Sequence, residues 1–365
     1  MKTRFLAMSI VLVVVLALSS IGLPHSAPVL AQTQAATMAP LTKPIKIAII
    51  MPSAKNDLAW SQAMYDSLVS VQKELGGDKL VQLTVIENMF QVPDAAANAQ
   101  KFAQQGYDIV ILHGTQYGAS MFDVAAKFPD VSFAWGTSTD VGKDKGLKNV
   151  FAYEARAEEG GYVFGTMAAM MSKTGILGVV GPVNAGDAKL YIDGFEQGAK
   201  AANPKVEVKK IFTESFGDIP KATEAAKTLI SQKADILTGS AQQVPGAITE
   251  TQKAKLIWFS TDTDQSVKWP DTVAASMVYD WTAMLKDMIA TRVAGEKGGK
   301  AYDISLKNGS LKLVFNSKVK VPDEVMKAAK DTMQKIIDGS LIVVGSPAAM
   351  AAATAAPTMA ATASK

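Results

Sequence analysis

An α/β fold of two similar lobes, each a parallel sheet flanked by helices and joined by crossing hinge strands, follows from three features of this 365-residue sequence. First, short runs of β-branched and aliphatic residues alternate with helical periodicity from residue 45 to 342, the pattern of βαβ units. Second, the alternation pauses after NVFAYEA (149–155) and then restarts. Third, LTVIENMFQVPDAAANAQKFAQQGYDIVIL (83–112) can be laid over VKKIFTESFGDIPKATEAAKTLISQKADILT (208–238). Each has a β run, a loop with Glu, Phe, Pro and Asp, a helix ending in a Gln-containing turn, and a β run opened by Asp. All βαβ units share this rhythm, but the matching loops favour two similar lobes.

At the amino end, Lys2 and Arg4 precede an apolar stretch from Phe5 to Leu18, and Val29-Leu30-Ala31 forms a small-residue cleavage site. Residues 1–31 therefore read as a secretory signal peptide. The alternative is an uncleaved anchor, but the apolar core is shorter than the roughly 20 residues of a spanning helix. Cleavage would lower the formal charge from +3 to +1, which points to neither nucleic acid nor an anionic membrane as partner. The expected location is extracytoplasmic, periplasmic or at the cell surface. With no cysteine there is no disulfide, no thiol chemistry and no lipid attachment through a cysteine after the signal. Residues 32–44 and the Ala/Thr/Pro-rich tail 343–365 lack bulky apolar residues and read as disordered spacers.

Strands are expected at 45–51, 80–87, 108–114 and 131–136 in the first run. In the second they are expected at 176–181, 206–212, 234–239 and 256–261. Residues 45–151 and 280–304 are assigned to the first lobe, and 152–279 and 305–342 to the second.

Several chemistries are missing. One histidine, His113, remains after signal removal; with no cysteine, His/Cys metal sites cannot form. His113 closes an apolar strand and reads as a packed or hydrogen-bonded structural residue. There is no G-x-S-x-G turn and no phosphate-cradling glycine motif. No catalytic residue, metal or cofactor is expected. Only Arg156 and Arg292 remain to fork onto a carboxylate or phosphate, which favours a flat, neutral, hydrogen-bonding ligand.

Open α/β sheets bind ligands beyond the carboxyl ends of their strands. Trp60 stands at such a strand-to-helix turn, where helix packing is the alternative role. Phe216 occupies the corresponding turn of the second half and would complete an aromatic sandwich. Asp262 and Asp264 follow the apolar strand LIWF; each is a hydrogen-bond acceptor or a turn residue. Thr115 and Tyr117 in GTQYG, and Asn184 in NAGD at the start of a helix, lie on loops of the same kind. Trp281, in YDWTAM, begins a helix after a hinge strand, where it packs or lines the cleft.

The ordered region resembles the basic membrane protein family of substrate-binding proteins for ABC transporters. The likeness is carried by KNDLAWSQAMYDSL, AAKFPDVSFAWG, NVFAYEARAEEGGYVFGTMAAMMSKTGILGVVG, GFEQGAKAANP, ESFGDIPKATEAAKTLISQKADIL and WFSTDTDQ, in that order along the chain. The resemblance implies the periplasmic-binding-protein type I fold and capture of purine nucleosides or nucleobases for import through a membrane permease, by a monomer. It also implies that Trp60 and Phe216 stack on the base and that Asp262 contacts base or sugar, with Asn56, Asp57, Ser61 and Thr115 alongside. Ser61 stands where members carry Asn, and Thr115 and Gln116 depart from the usual aromatic and Gly. These departures open the possibility of a free base. A sugar-binding protein of the same fold and a ligand sensor for a membrane receptor are the alternatives.

Overall fold

Every β run foreseen in the sequence is a strand of one of two six-stranded sheets. The computed structural model describes residues 41–345. The expectations placed on 1–31, on 32–40 and on 346–365 lie outside the described residues. The adjoining Leu41 and Val343 are buried against the core.

In chain order the first lobe begins with β1 (Ile45–Ile50), α1 (Trp60–Glu74), β2 (Val81–Ile86), α2 (Val92–Gln104), β3 (Ile109–His113), α3 (Gly118–Lys127), β4 (Ser132–Gly136) and β5 (Val150–Ala155). The second continues with α4 (Ala157–Met171), β6 (Ile176–Gly181), α5 (Gly186–Ala202), β7 (Glu207–Phe212), α6 (Ile219–Ser231), β8 (Ile236–Gly239), α7 (Val244–Lys253), β9 (Ile257–Ser260) and β10 (Val273–Tyr279). The chain then returns through α8 (Thr282–Val293) and β11 (Ala301–Ile304), and crosses again to β12 (Leu311–Phe315) and α9 (Asp323–Ile337).

The first sheet runs β2-β1-β3-β4-β5-β11, all parallel. The second runs β7-β6-β8-β9-β10-β12, parallel except for the antiparallel β10–β12 pair. The first five strands of each sheet thus have the same order, as the internal likeness predicts. Strand β3 is buried at every position, as a parallel strand covered by helices on both faces must be. The edge strand β12 alternates instead, so its five residues show no continuous apolar run.

Helices α4 and α5 pack with almost no side chain between them. A Cβ on Gly165 would strike the Phe195 carbonyl, and one on Gly198 would strike that of Tyr162. This contact forms one wall of the second lobe directly beneath the hinge. At the crossing itself, Arg156 donates its backbone N–H to the Ile304 carbonyl at 2.8 Å, which ties the start of α4 to the end of β11.

Candidate functional site

The loops after β1, β2 and β3 meet those after β6, β7, β8 and β9 around a cavity of about 380 Å³. Its apolar walls are Pro52, Trp60 and Phe90 from the first lobe, and Ala188, Phe216 and Ala241 from the second. Its polar groups come from Thr115 and Gln116 on one side, and Asp187, Ser240, Gln242 and Asp262 on the other.

Trp60 is placed by the turn that precedes it. Asp57 accepts from the N–H groups of Ala59, Ser61 and Gln62 and from the Ser53 hydroxyl, so its carboxylate caps the start of α1. Behind Trp60 lies His113, its ring 4.1 Å away and parallel to within 1°. The indole N–H donates to the His113 carbonyl at 3.1 Å. The imidazole Nε2 lies 3.1 Å from the Trp60 carbonyl. A carbonyl only accepts, so Nε2 carries the hydrogen and Nδ1 accepts from the Tyr153 hydroxyl at 2.8 Å. Burial lowers the His113 pKa to about 3, so the ring is neutral at physiological pH. Tyr279 and Trp281 abut the indole edge-on at 6.0 and 5.7 Å. One indole face is thus taken up by the protein, and Trp60 also lines the cavity.

Two carboxyls from the second lobe converge on the same space. Asp187 sits in the first turn of α5 and accepts from the Tyr279 hydroxyl at 3.1 Å. Asp262 follows β9 with φ of +70° and accepts from the Thr261 hydroxyl at 2.9 Å. Both are almost fully buried; burial raises Asp187 to about 6, and burial together with repulsion from Asp187 raises Asp262 well above the usual carboxylate range. Two amide atoms, Nε2 of Gln116 and Oε1 of Gln242, are buried without a hydrogen-bond partner among the described residues.

Of the residues singled out in the sequence, the structure brings Trp60, Phe216, Asp262 and Thr115 to the cavity. Thr115 also shares a 2.8 Å hydrogen bond with Thr137. It does not bring the other seven to the wall. Asn56 is exposed on the loop, and Asp57 is occupied by its capping bonds. Ser61 is buried and bonds the Ser53 hydroxyl at 2.6 Å. Tyr117 is buried in the first lobe, its hydroxyl donating to the Met89 carbonyl at 2.6 Å. Asn184 is exposed. Trp281 is fully buried among Trp60, Tyr153 and Tyr279. Asp264 accepts from Ser266 and Ser276 and ties β10 to the preceding turn.

Sequence reasoning missed Phe90, Asp187, Ser240 and Gln242 as wall residues. Phe90 had a signal, because the internal repeat aligns it with Phe216 and both line one cavity. Asp187 lies in the NAGD segment, where an acidic residue in a first helical turn reads as a helix-end residue.

Among the described residues no group of three or more His, Cys, Asp or Glu is placed to hold a metal ion. Among them, too, no helix is long and apolar enough to cross a membrane.

Comparison with known proteins bears on this geometry. A purine-binding protein of Brucella abortus is 31% identical over 298 residues, spanning 81% of this chain and 82% of the relative. The ABC transporter nucleoside-binding protein BmpA of Lactococcus lactis is 25% identical over 320 residues, spanning 82% and 89%. A solved ABC-transporter solute-binding protein of Aeropyrum pernix superposes with a TM-score of 0.68 at 18% identity, covering 84% of this chain and 95% of that one. The family model described as ABC transporter substrate-binding protein, PnrA-like, matches residues 45–346, a span that takes in both sheets and every wall of the cavity. The chain belongs to this Bmp family: it is an extracytoplasmic substrate-binding protein that serves an ABC transporter permease, and not an enzyme.

Proposed function

We propose that the protein captures a purine base or nucleoside in the interlobe cavity and hands it to its permease as a monomer. One observation carries this reading: the cavity wall combines aromatic rings from both lobes with buried acids and amides, and no Lys or Arg lines it. A planar heterocycle supplies faces for the rings and N–H and ring-nitrogen groups for the polar edge. Asp187 and Asp262 have no cationic partner at the wall, so the ligand must provide the donors they accept from. A carboxylate or phosphate ligand would meet the acid pair with no guanidinium to receive it. Trp60 and Phe216 stand on opposite lobes, so gripping a ring between them requires the lobes to close, as hinge-bending binding proteins do. The names of the Brucella and Lactococcus relatives point the same way.

Mass spectrometry of small molecules released from the purified protein, followed by calorimetric titration with adenine, adenosine and ribose, tests the proposal. A released purine, with adenine or adenosine binding far more tightly than ribose, is the expected result. Preferential ribose binding would move the protein to the sugar-binding class.

A further inference from the structure

The residue two positions before Trp60 reaches across the cleft. Leu58 belongs to the loop between β1 and α1, yet its side chain packs against the apolar core of the second lobe. Its carbonyl accepts from the Thr263 hydroxyl at 2.7 Å and from the Gln265 side-chain N–H at 2.8 Å, both on the loop after β9. Its φ of +61° is the left-handed conformation, costly for a branched side chain and found where surrounding contacts impose it. Gln265 is buried, so the receiving side chain is held in place before the loop docks on it. On the other flank Leu58 is held by its own helix, donating its N–H to the Gln62 side chain at 3.0 Å.

We propose that Leu58 is a positioning residue: a clasp that locks the Trp60-bearing loop onto the second lobe in the closed form and sets how slowly the ligand leaves. This rests on the proposed cavity only for the ligand, because the clasp itself is a contact between lobes. Opening must break both hydrogen bonds and withdraw the side chain from the second core. The left-handed backbone is then free to relax, which biases the clasp to be either fully engaged or released.

The chain has no cysteine, so Lys101→Cys on α2 and Lys227→Cys on α6, both exposed, give a clean pair of spin-label sites, one per lobe. In the ligand-free protein, the interlabel distance distribution should shift to longer distances in Leu58→Ala. It should shift likewise in Thr263→Val combined with Gln265→Met, and stay as in wild type in Leu58→Met. Distributions unchanged by Leu58→Ala and by the donor pair would overturn the clasp, whatever the ligand proves to be. With adenine as probe, stopped-flow kinetics should show dissociation about tenfold faster in Leu58→Ala and association within twofold of wild type. Equal slowing of association with no change in dissociation would make Leu58 an entry residue and refute the proposal. Should Leu58→Ala fail to fold, the Thr263/Gln265 variant, which leaves Leu58 in place, decides both measurements. Failure of adenine, adenosine and ribose to bind would count against the purine reading alone, since the label distances need no ligand.

Discussion

Replacing Trp60 separates binding from packing, because the structure divides its surroundings between the two. Trp60 is only 6% exposed with the lobes as they stand, so the area at stake is what opening bares: the face turned away from His113, about 100 Å², roughly half of what such a residue buries. Covering that face with a base is worth about 2.5 kcal/mol at 25 cal/mol per Å², and stacking adds roughly 1 kcal/mol. Trp60→Ala should therefore weaken purine binding by about 3 kcal/mol, on the order of a hundredfold. It should also lower stability by about 3–5 kcal/mol, the usual cost of truncating a buried aromatic, because the His113 stack and the indole hydrogen bond go with it. Trp60→Phe keeps a ring on both sides and loses only the indole donor. It should cost about 1 kcal/mol of stability and less than tenfold in affinity. Calorimetric titration with adenine, paired with urea unfolding of each variant, supplies both numbers. If Trp60→Ala loses the stability but keeps the affinity, the residue is a packing element and the stacking argument fails.

Four further outcomes follow from the structure. Asp262→Asn should reduce purine affinity by about 1–3 kcal/mol, the cost of leaving a buried polar group of the ligand without its partner. Titration of the Asp187→Asn, Asp262→Asn double variant should show a loss smaller than the sum of the singles, since both carboxyls line one cavity and the charge of Asp187 acts on Asp262; strict additivity would place them in separate environments. Burial raises Glu158 and Glu159 to about 7 and Asp187 to about 6, so their contribution to stability is fully present below pH 4 and is lost as pH rises through 6 to 7. His113, lowered to about 3, works in the opposite sense from pH 6.5 downward, but as a single group against several. Urea midpoints should thus be higher at pH 5 than at pH 8, with Glu158→Gln flattening the profile; a lower midpoint at pH 5 would contradict this sign. Gly165→Ala should cost about 1–3 kcal/mol by forcing α4 off α5, and an unchanged thermal midpoint would show that the two helices have slack.

The fold was legible because a parallel sheet covered on both faces writes each strand as an apolar run, and the eight runs expected fall on β1 to β4 and β6 to β9. Strands β11 and β12 were not legible as runs. Both are short and lie at sheet edges, where one side is open and the residues need not be apolar. The site was legible where a residue type is odd for its position, as with an indole at a strand-to-helix turn or an acid after LIWF. It was opaque where a residue is ordinary for its position. Asp187 looks like any acid at a helix start, and only the folded chain brings it beside Asp262. Tyr117 went the other way: it was expected at the cleft and is buried in the first lobe. Trp281, for which packing was one of two readings, packs in the aromatic layer behind Trp60.

That layer has a consequence for how ligand binding reaches the hinge. His113 links Trp60 to Tyr153 on β5, the strand through which the chain leaves the first lobe. Trp281 touches Trp60, His113 and Tyr153 at the point where the chain returns, and Tyr279 joins it to Asp187 at the cavity. Two of the three crossings therefore reach the ring that faces the ligand, the first through His113 and the second by direct contact of Tyr279 and Trp281. Interiors packed at this density repack between discrete arrangements and do not deform gradually. If the stack transmits closure, Tyr279→Phe, which removes one hydroxyl and no ring, should leave Trp60 in place yet free the second crossing from Asp187. Its expected signature is an affinity loss of about 1–2 kcal/mol, with the near-ultraviolet circular dichroism of the indoles unchanged in the ligand-free protein. A variant that binds like wild type would confine the coupling to the rings and exclude the Tyr279–Asp187 bond as a link between cavity and hinge.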